Sequence, residues 1–220
     1  MIELPDYRIV EGPEAEALAD AGGELMDLQF VDTALTELLD SWPLGADTGP
    51  DTTAARALWI AAVVWYARSF TTGLRTSGIA AEIASTLPEP SRAEHDYFVA
   101  LRDKHMAHSV NVFEQVATGV RLGPGPDFDL AAVHPIGLLM VLPTRERAER
   151  LRVLVRELMD LMQPRLRELG SRVAVAVTVM SPSERAALHP AVFSPPLTTT
   201  DPAAKRARQK RPRRTVSDGG

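Results

Sequence analysis

Apolar residues recur three and four apart through residues 24–41, at Leu25, Leu28, Val31, Leu35, Leu38 and Leu39, which predicts a helix ending before Trp42-Pro43. A second helix is predicted over residues 53–72, capped by Asp51 or Thr52 and stopped near Gly73. Residues 73–90 read as a loop through Pro88 and Pro90, and Ser91 with Glu94 three residues later has the spacing of a capping box. A third helix should then run from Arg92 to about Thr118. Beyond a Gly123-Pro124-Gly125-Pro126 turn, residues 136–142 form an apolar run of strand length. Thr144 should cap a long amphipathic helix reaching Leu169, kinked by Pro164 and closed by Gly170. Val173, Val175, Val177 and Val179 alternate with smaller residues, so residues 172–180 read as a buried strand.

The pattern predicts a mainly α chain, a helical bundle with a small β element in its C-terminal half. Residues 1–195 read as one domain, with its core in 53–118 and the later strands and long helix in 127–180. Residues 196–220 have no apolar periodicity and read as a disordered tail.

At 220 residues, 45% hydrophobic and 24% charged, the chain has enough apolar surface for one sizeable core. It holds no cysteine, which excludes a disulfide framework, thiolate metal sites and a cysteine nucleophile. The first residues are acidic and lack the basic and apolar regions of a secretory signal. The most apolar stretch lies between Arg56 and Arg68, far short of the roughly 20 residues that cross a bilayer. The expected setting is the cytoplasm, with no membrane partner.

The net charge of −5 conceals an asymmetry. Residues 201–220 hold seven basic and two acidic groups, whereas the other 200 residues hold 17 basic and 27 acidic ones. A mobile polycation gains affinity for phosphate by counterion release, and the same tail also solubilises an acidic body.

Residues 98–118, wound as a helix, place Phe98, Val99, Met106, Val110, Phe113, Val116 and Ala117 within about 80° of Arg102, so the arginine falls inside the apolar stripe. A guanidinium there needs an anion, either a carboxylate such as Glu37, Asp40 or Glu94, or a ligand phosphate. His105 follows at about 60° from Arg102 and His108 at about 120°. One imidazole that exchanges protons near neutral pH and one fixed guanidinium are the minimum for cleaving RNA without a metal: a base on the 2′-hydroxyl and a cation on the charge developing at phosphorus.

The run Arg102-Asp103-Lys104-His105-Met106-Ala107-His108 resembles the HEPN motif, an arginine followed after four to six residues by a histidine, with a polar residue often directly after the arginine. Residues 96–101, Ser109-Val110-Asn111 and the preceding Tyr66-Ala67-Arg68-Ser69-Phe70 are also similar to bacterial HEPN-like proteins of an abortive-infection branch. The resemblance implies a helical bundle, commonly dimeric, whose motif helices meet so that two sites share a cleft. It implies a metal-independent endoribonuclease of toxin or phage-defence type, with no cofactor and with an antitoxin or other protein as regulator. Arg102 would hold the scissile phosphate, His108 would act as general base or acid, Asp103 would order the motif, and His105 would be a second proton carrier. Lys104, Asn111 and Arg68 are the candidate RNA contacts. Val110 stands where one regulated branch carries a tyrosine.

Two other readings use the same residues. His105 and His108 at i, i+3 have the spacing of two metal ligands, but no third ligand stands at a known spacing, so the expectation is no metal. The chain also reads as a catalytically inactive helical protein that binds a protein or nucleic-acid partner. Trp59, Tyr66 and Phe70 share one helix face and read as core or interface, while Trp65 points elsewhere, as a dimer contact would require.

Overall fold

The computed structural model describes residues 2–43, 46, 49–50, 52–70, 78–103, 115–122, 130–138 and 143–193. In chain order these form β1 (Ile2–Arg8), α1 (Pro13–Asp40), α2 (Thr53–Arg68), α3 (Ile79–Ser85), α4 (Glu89–Leu101), β2 (Gln115–Leu122), β3 (Leu130–Leu138), α5 (Arg145–Thr178), α6 (Pro182–Ala186) and β4 (Pro190–Phe193). The fold is mainly α. α1 packs on α2 and α5, α4 packs on α2 and α5, and the short α3 fills the space between α5, α1 and α4. Leu28, Leu35 and Leu38 of α1, Val63 and Tyr66 of α2, Phe98 of α4 and Leu151, Leu158 and Met162 of α5 are fully buried where these helices meet. No helix among the described residues is long and apolar enough to cross a membrane.

Local chemistry explains the ends of the helices. α1 starts at Pro13, eleven residues before the predicted helix, because proline at the first position loses no hydrogen bond and Glu14 and Glu16 complement the helix dipole. The Thr52 hydroxyl accepts from the amide of Ala55 and caps α2, and Thr144 does the same for Arg147 at the start of α5. α3 lies inside the predicted loop. Gly78 before it has φ 56° and no side chain to cap with, so the cap comes from elsewhere: buried Glu24 of α1 accepts the Ala80 amide at 2.9 Å. Only the tertiary fold supplies that partner.

Three predicted elements are corrected. The Ser91–Glu94 capping box does not form, since α4 begins at Glu89 after Pro88. Ser91 instead donates to Glu157 at 2.7 Å, and Glu94 is held by Arg147 and Arg150 at 2.7 and 2.8 Å. The third helix does not continue to Thr118: α4 ends at Leu101, and residues 115–122 form β2, antiparallel to β3 with Val120 opposite Val133. Val116, counted in the helical stripe, suits a pleated strand as well, and cross-strand pairing decides between them. The strand predicted for 136–142 is represented by the end of β3, while residues 139–142 and the turn at 123–126 lie outside the described residues.

Residues 172–180 are not a buried strand. α5 continues through Pro164 and Gly170 to Thr178, and Val175 and Val179 are 64% and 79% exposed. Among the described residues the strands pair without this segment, β1 with β4, Ile2 opposite Phe193, and β2 with β3. Gly170 is helical rather than a left-handed stop, and a methyl group there would meet nothing within 4 Å. Gly170→Ala is therefore expected to stabilise the protein by about 0.5–1 kcal/mol, mainly through the unfolded chain's lost freedom. A drop in the thermal midpoint would show instead that α5 ends there.

Candidate functional site

The C-terminal end of α4 carries Arg102 and Asp103, the two candidate catalytic residues that lie among the described residues. Arg102 is its C-terminal cap, in helical conformation, and its backbone N–H is held by the carbonyls of Phe98 and Val99. Arg102 does not sit inside a buried stripe, since its side chain is 35% exposed. Its guanidinium is partly exposed and donates to Oδ1 of the adjacent Asp103 at 2.7 Å. The carboxylates considered as buried partners lie elsewhere. Glu94 is taken by Arg147 and Arg150 across the α4–α5 contact, and Glu37 and Asp40 are exposed on α1. A permanent positive charge thus stands on the last turn of α4, oriented by its neighbour and open to solvent.

Lys104, His105, His108 and Asn111 lie outside the described residues. Arg68 is described, and the fold keeps it apart from Arg102. It ends α2, its guanidinium lies 4.5 Å over the Trp65 ring, and its Nε is 3.5 Å from the buried carboxylate of Asp27 on α1. Trp65 in turn stacks against Phe30 of α1 at 4.6 Å, which places the ring at the α1–α2 seam. Trp59 and Tyr66 are core residues, as one of the two sequence readings has it.

His95 is the titratable group that the sequence reading passed over. It lies seven residues before Arg102 on α4, about 10 Å along the axis. Its Nδ1 is 2.8 Å from the hydroxyl of fully buried Tyr66, and its ring lies edge-on to Phe70 at 4.5 Å. Burial holds the His95 pKa below its ordinary value; Arg92 acts in the same direction and Asp96 opposes both. Burial, then Asp96, raises the Tyr66 pKa, so the phenol stays protonated beside the Nδ1 atom of His95. The i, i+7 spacing from Arg102 and an aromatic helix opposite were the available signals. Only the packing of α2 on α4 shows that Tyr66 is the partner.

This pair has a measurable consequence. The fold favours neutral His95, so the unfolded chain binds the proton more readily. Its contribution to stability is complete above the ordinary pKa of 6.5 and is lost as pH falls through the lowered folded value. Urea midpoints are expected to fall from about pH 7 to about pH 5 and to fall less steeply in His95→Gln. Parallel slopes for the two proteins would remove His95 as the cause.

Among the described residues a shallow groove of about 460 Å³ lies between the start of α1 and the second half of α5, lined by Glu14, Glu168, Ser171, Arg172, Val175 and Ala176. Neither Arg102 nor Asp103 borders it. No group of three or more histidine, aspartate or glutamate side chains among the described residues is arranged to hold a metal ion. No protein-family model, curated protein or solved structure matches the chain.

Proposed function

We propose that the protein is a HEPN-like endoribonuclease of toxin or phage-defence type that acts in the cytoplasm without a metal cofactor. The observation that carries this reading is the placement of Arg102. The first residue of the motif is anchored at the end of a packed helix, without a buried ion pair among the described residues, and Asp103 holds its guanidinium as an orienting neighbour. Arg102 binds the scissile phosphate. His108, with His105 as second proton carrier, removes the proton from a ribose 2′-hydroxyl. That oxygen bonds to phosphorus, the bond from phosphorus to the 5′-oxygen breaks, and the leaving oxygen takes a proton from the acid. The products are a 2′,3′-cyclic phosphate and a 5′-hydroxyl. Lys104 and Asn111 contact the RNA, and an antitoxin or other protein regulates the activity.

The exposed apolar side chains Met26 and Phe30 of α1 and Ile60 of α2 favour the second reading, a catalytically inactive helical interaction protein. Incubation of a labelled transfer RNA pool with the full chain in EDTA separates the two. Fragments ending in 2′,3′-cyclic phosphate support the ribonuclease. Intact RNA across a wide range of protein concentration leaves the interaction protein.

A further inference from the structure

Arg145, Arg147, Arg150 and Arg156 of α5 each lie 2.6–2.9 Å from a carboxylate, and Arg165 and Arg172 are paired too. A phosphate arriving at such a pair has to displace the carboxylate and meets its repulsion, so these arginines add little to the binding of a polyanion. Residues 1–200 also carry 27 acidic groups against 17 basic ones, which repels one. Residues 205–214, outside the described residues, are the opposite case. Seven of the ten are Lys or Arg, and the nearest carboxylates in sequence are Asp201 and Asp218, four residues beyond either end.

The fold fixes where this run joins the bundle. Glu94 meets Arg147 and Arg150, while Ser91, one turn earlier, meets Glu157. α4 is therefore antiparallel to α5, and its end at Arg102 lies by the start of α5. The described chain finishes on β4, which follows the other end of α5 through α6. The 34 residues of α5 set these two ends about 50 Å apart. A chain covers at most about 3.5 Å per residue, which puts Lys205 up to about 40 Å and Arg214 up to about 70 Å from Phe193. The basic run thus reaches an RNA lying against the Arg102 end.

We propose that residues 205–214 are the RNA-binding segment of the protein, whose seven cations hold the phosphate backbone that the acidic body repels. The chemistry recognised is a phosphate backbone; that it is RNA's rests on the ribonuclease reading. Such a segment gains affinity by releasing condensed counterions, and it has no aromatic residue on which to stack bases, so it binds without sequence preference. Seven phosphate contacts on a single strand give log affinity a slope of about −5 against log salt, or about 10³-fold between 50 and 200 mM. Binding and chemistry are then divided along the chain: residues 205–214 set how tightly RNA is held, and Arg102 acts on the one phosphate to be cut.

The test is fluorescence anisotropy of a labelled 2′-O-methyl oligouridine, which keeps the phosphates and lacks the attacking hydroxyl, so binding is read apart from cleavage. The full chain is compared with a full-length variant in which the seven basic residues of 205–214 are glutamine, and with Arg102→Ala. Neutralising the run should weaken binding by about 100-fold or more at 50 mM salt and bring the slope near zero, with the thermal midpoint unchanged. Arg102→Ala, one contact among eight, should change the slope by less than about 1. A parent that does not bind at low salt overturns the inference, as does binding that persists undiminished when the run is neutralised. Run-dependent binding to phosphatidylserine vesicles, with none to the oligonucleotide, also overturns it and makes the run a membrane contact. Run-dependent binding beside transfer RNA left intact in EDTA keeps the inference and removes the ribonuclease. Where transfer RNA is cut, neutralising the run should raise KM and leave kcat; a KM that does not move removes the inference and keeps the ribonuclease.

Discussion

Phe98→Ala is expected to destabilise the protein by about 3–5 kcal/mol, the usual cost of emptying a fully buried phenylalanine site. Phe98 is the fully buried residue of α4 at its contact with α2. Its ring stands nearly perpendicular to Trp59 and Tyr66 of α2, with centroids 6.2 and 6.1 Å away, and to Tyr97 at 5.1 Å. Truncation removes three edge-to-face contacts and leaves a cavity bounded by stiff aromatic rings, which collapse poorly. For a chain of this size the thermal midpoint should fall by about 10 °C. Val153→Ala, on the exposed side of α5, should stay within about 0.5 kcal/mol of the parent. Equal effects for the two variants would mean that α4 is not seated as described. The substitution also bears on the candidate site, since the Phe98 carbonyl is one of the two acceptors that hold the backbone of Arg102.

What could be read from the sequence follows the range of the interactions involved. α1, α2 and α5 were legible because their apolar spacing and their Thr52 and Thr144 caps are local. α3 was not, because its cap is Glu24, 56 residues away. The pairing of β1 with β4 joins the two ends of the described chain, and no local pattern announces it. Two segments carried a periodicity that the fold does not use as predicted. The helical spacing of Val116 and Ala117 with Phe98 gave way to a hairpin, and the alternating valines of 173–179 continue α5 or follow directly on it. For the candidate site, the sequence singled out Arg102 and Asp103 by order alone. That the two side chains bond to each other, and that Glu94 is occupied by α5, depends on where the helix ends and on how α4 lies against α5.

Arg102→Ala is expected to lower RNA cleavage in EDTA by about 10²–10³-fold, the cost of removing one fixed donor from a transition state that carries charge. The fold should hardly register the change. The guanidinium is partly exposed and bonded to its exposed neighbour, and a surface pair of this kind contributes about 0–1 kcal/mol. The thermal midpoint should therefore move by no more than a few degrees, which separates this variant from Phe98→Ala. Arg102→Lys tests the role more finely: it keeps the charge but loses the planar fork that holds two phosphate oxygens, so activity should fall between wild type and alanine. His108→Ala removes the proposed proton carrier and should cost about 10²–10⁴-fold. Cyclic-phosphate ends made by the wild type and lost in both alanine variants, with folding intact, identify the motif as the cleaving group. Cleavage that persists undiminished in Arg102→Ala assigns the activity elsewhere and leaves Arg102 a helix cap with a surface ion pair.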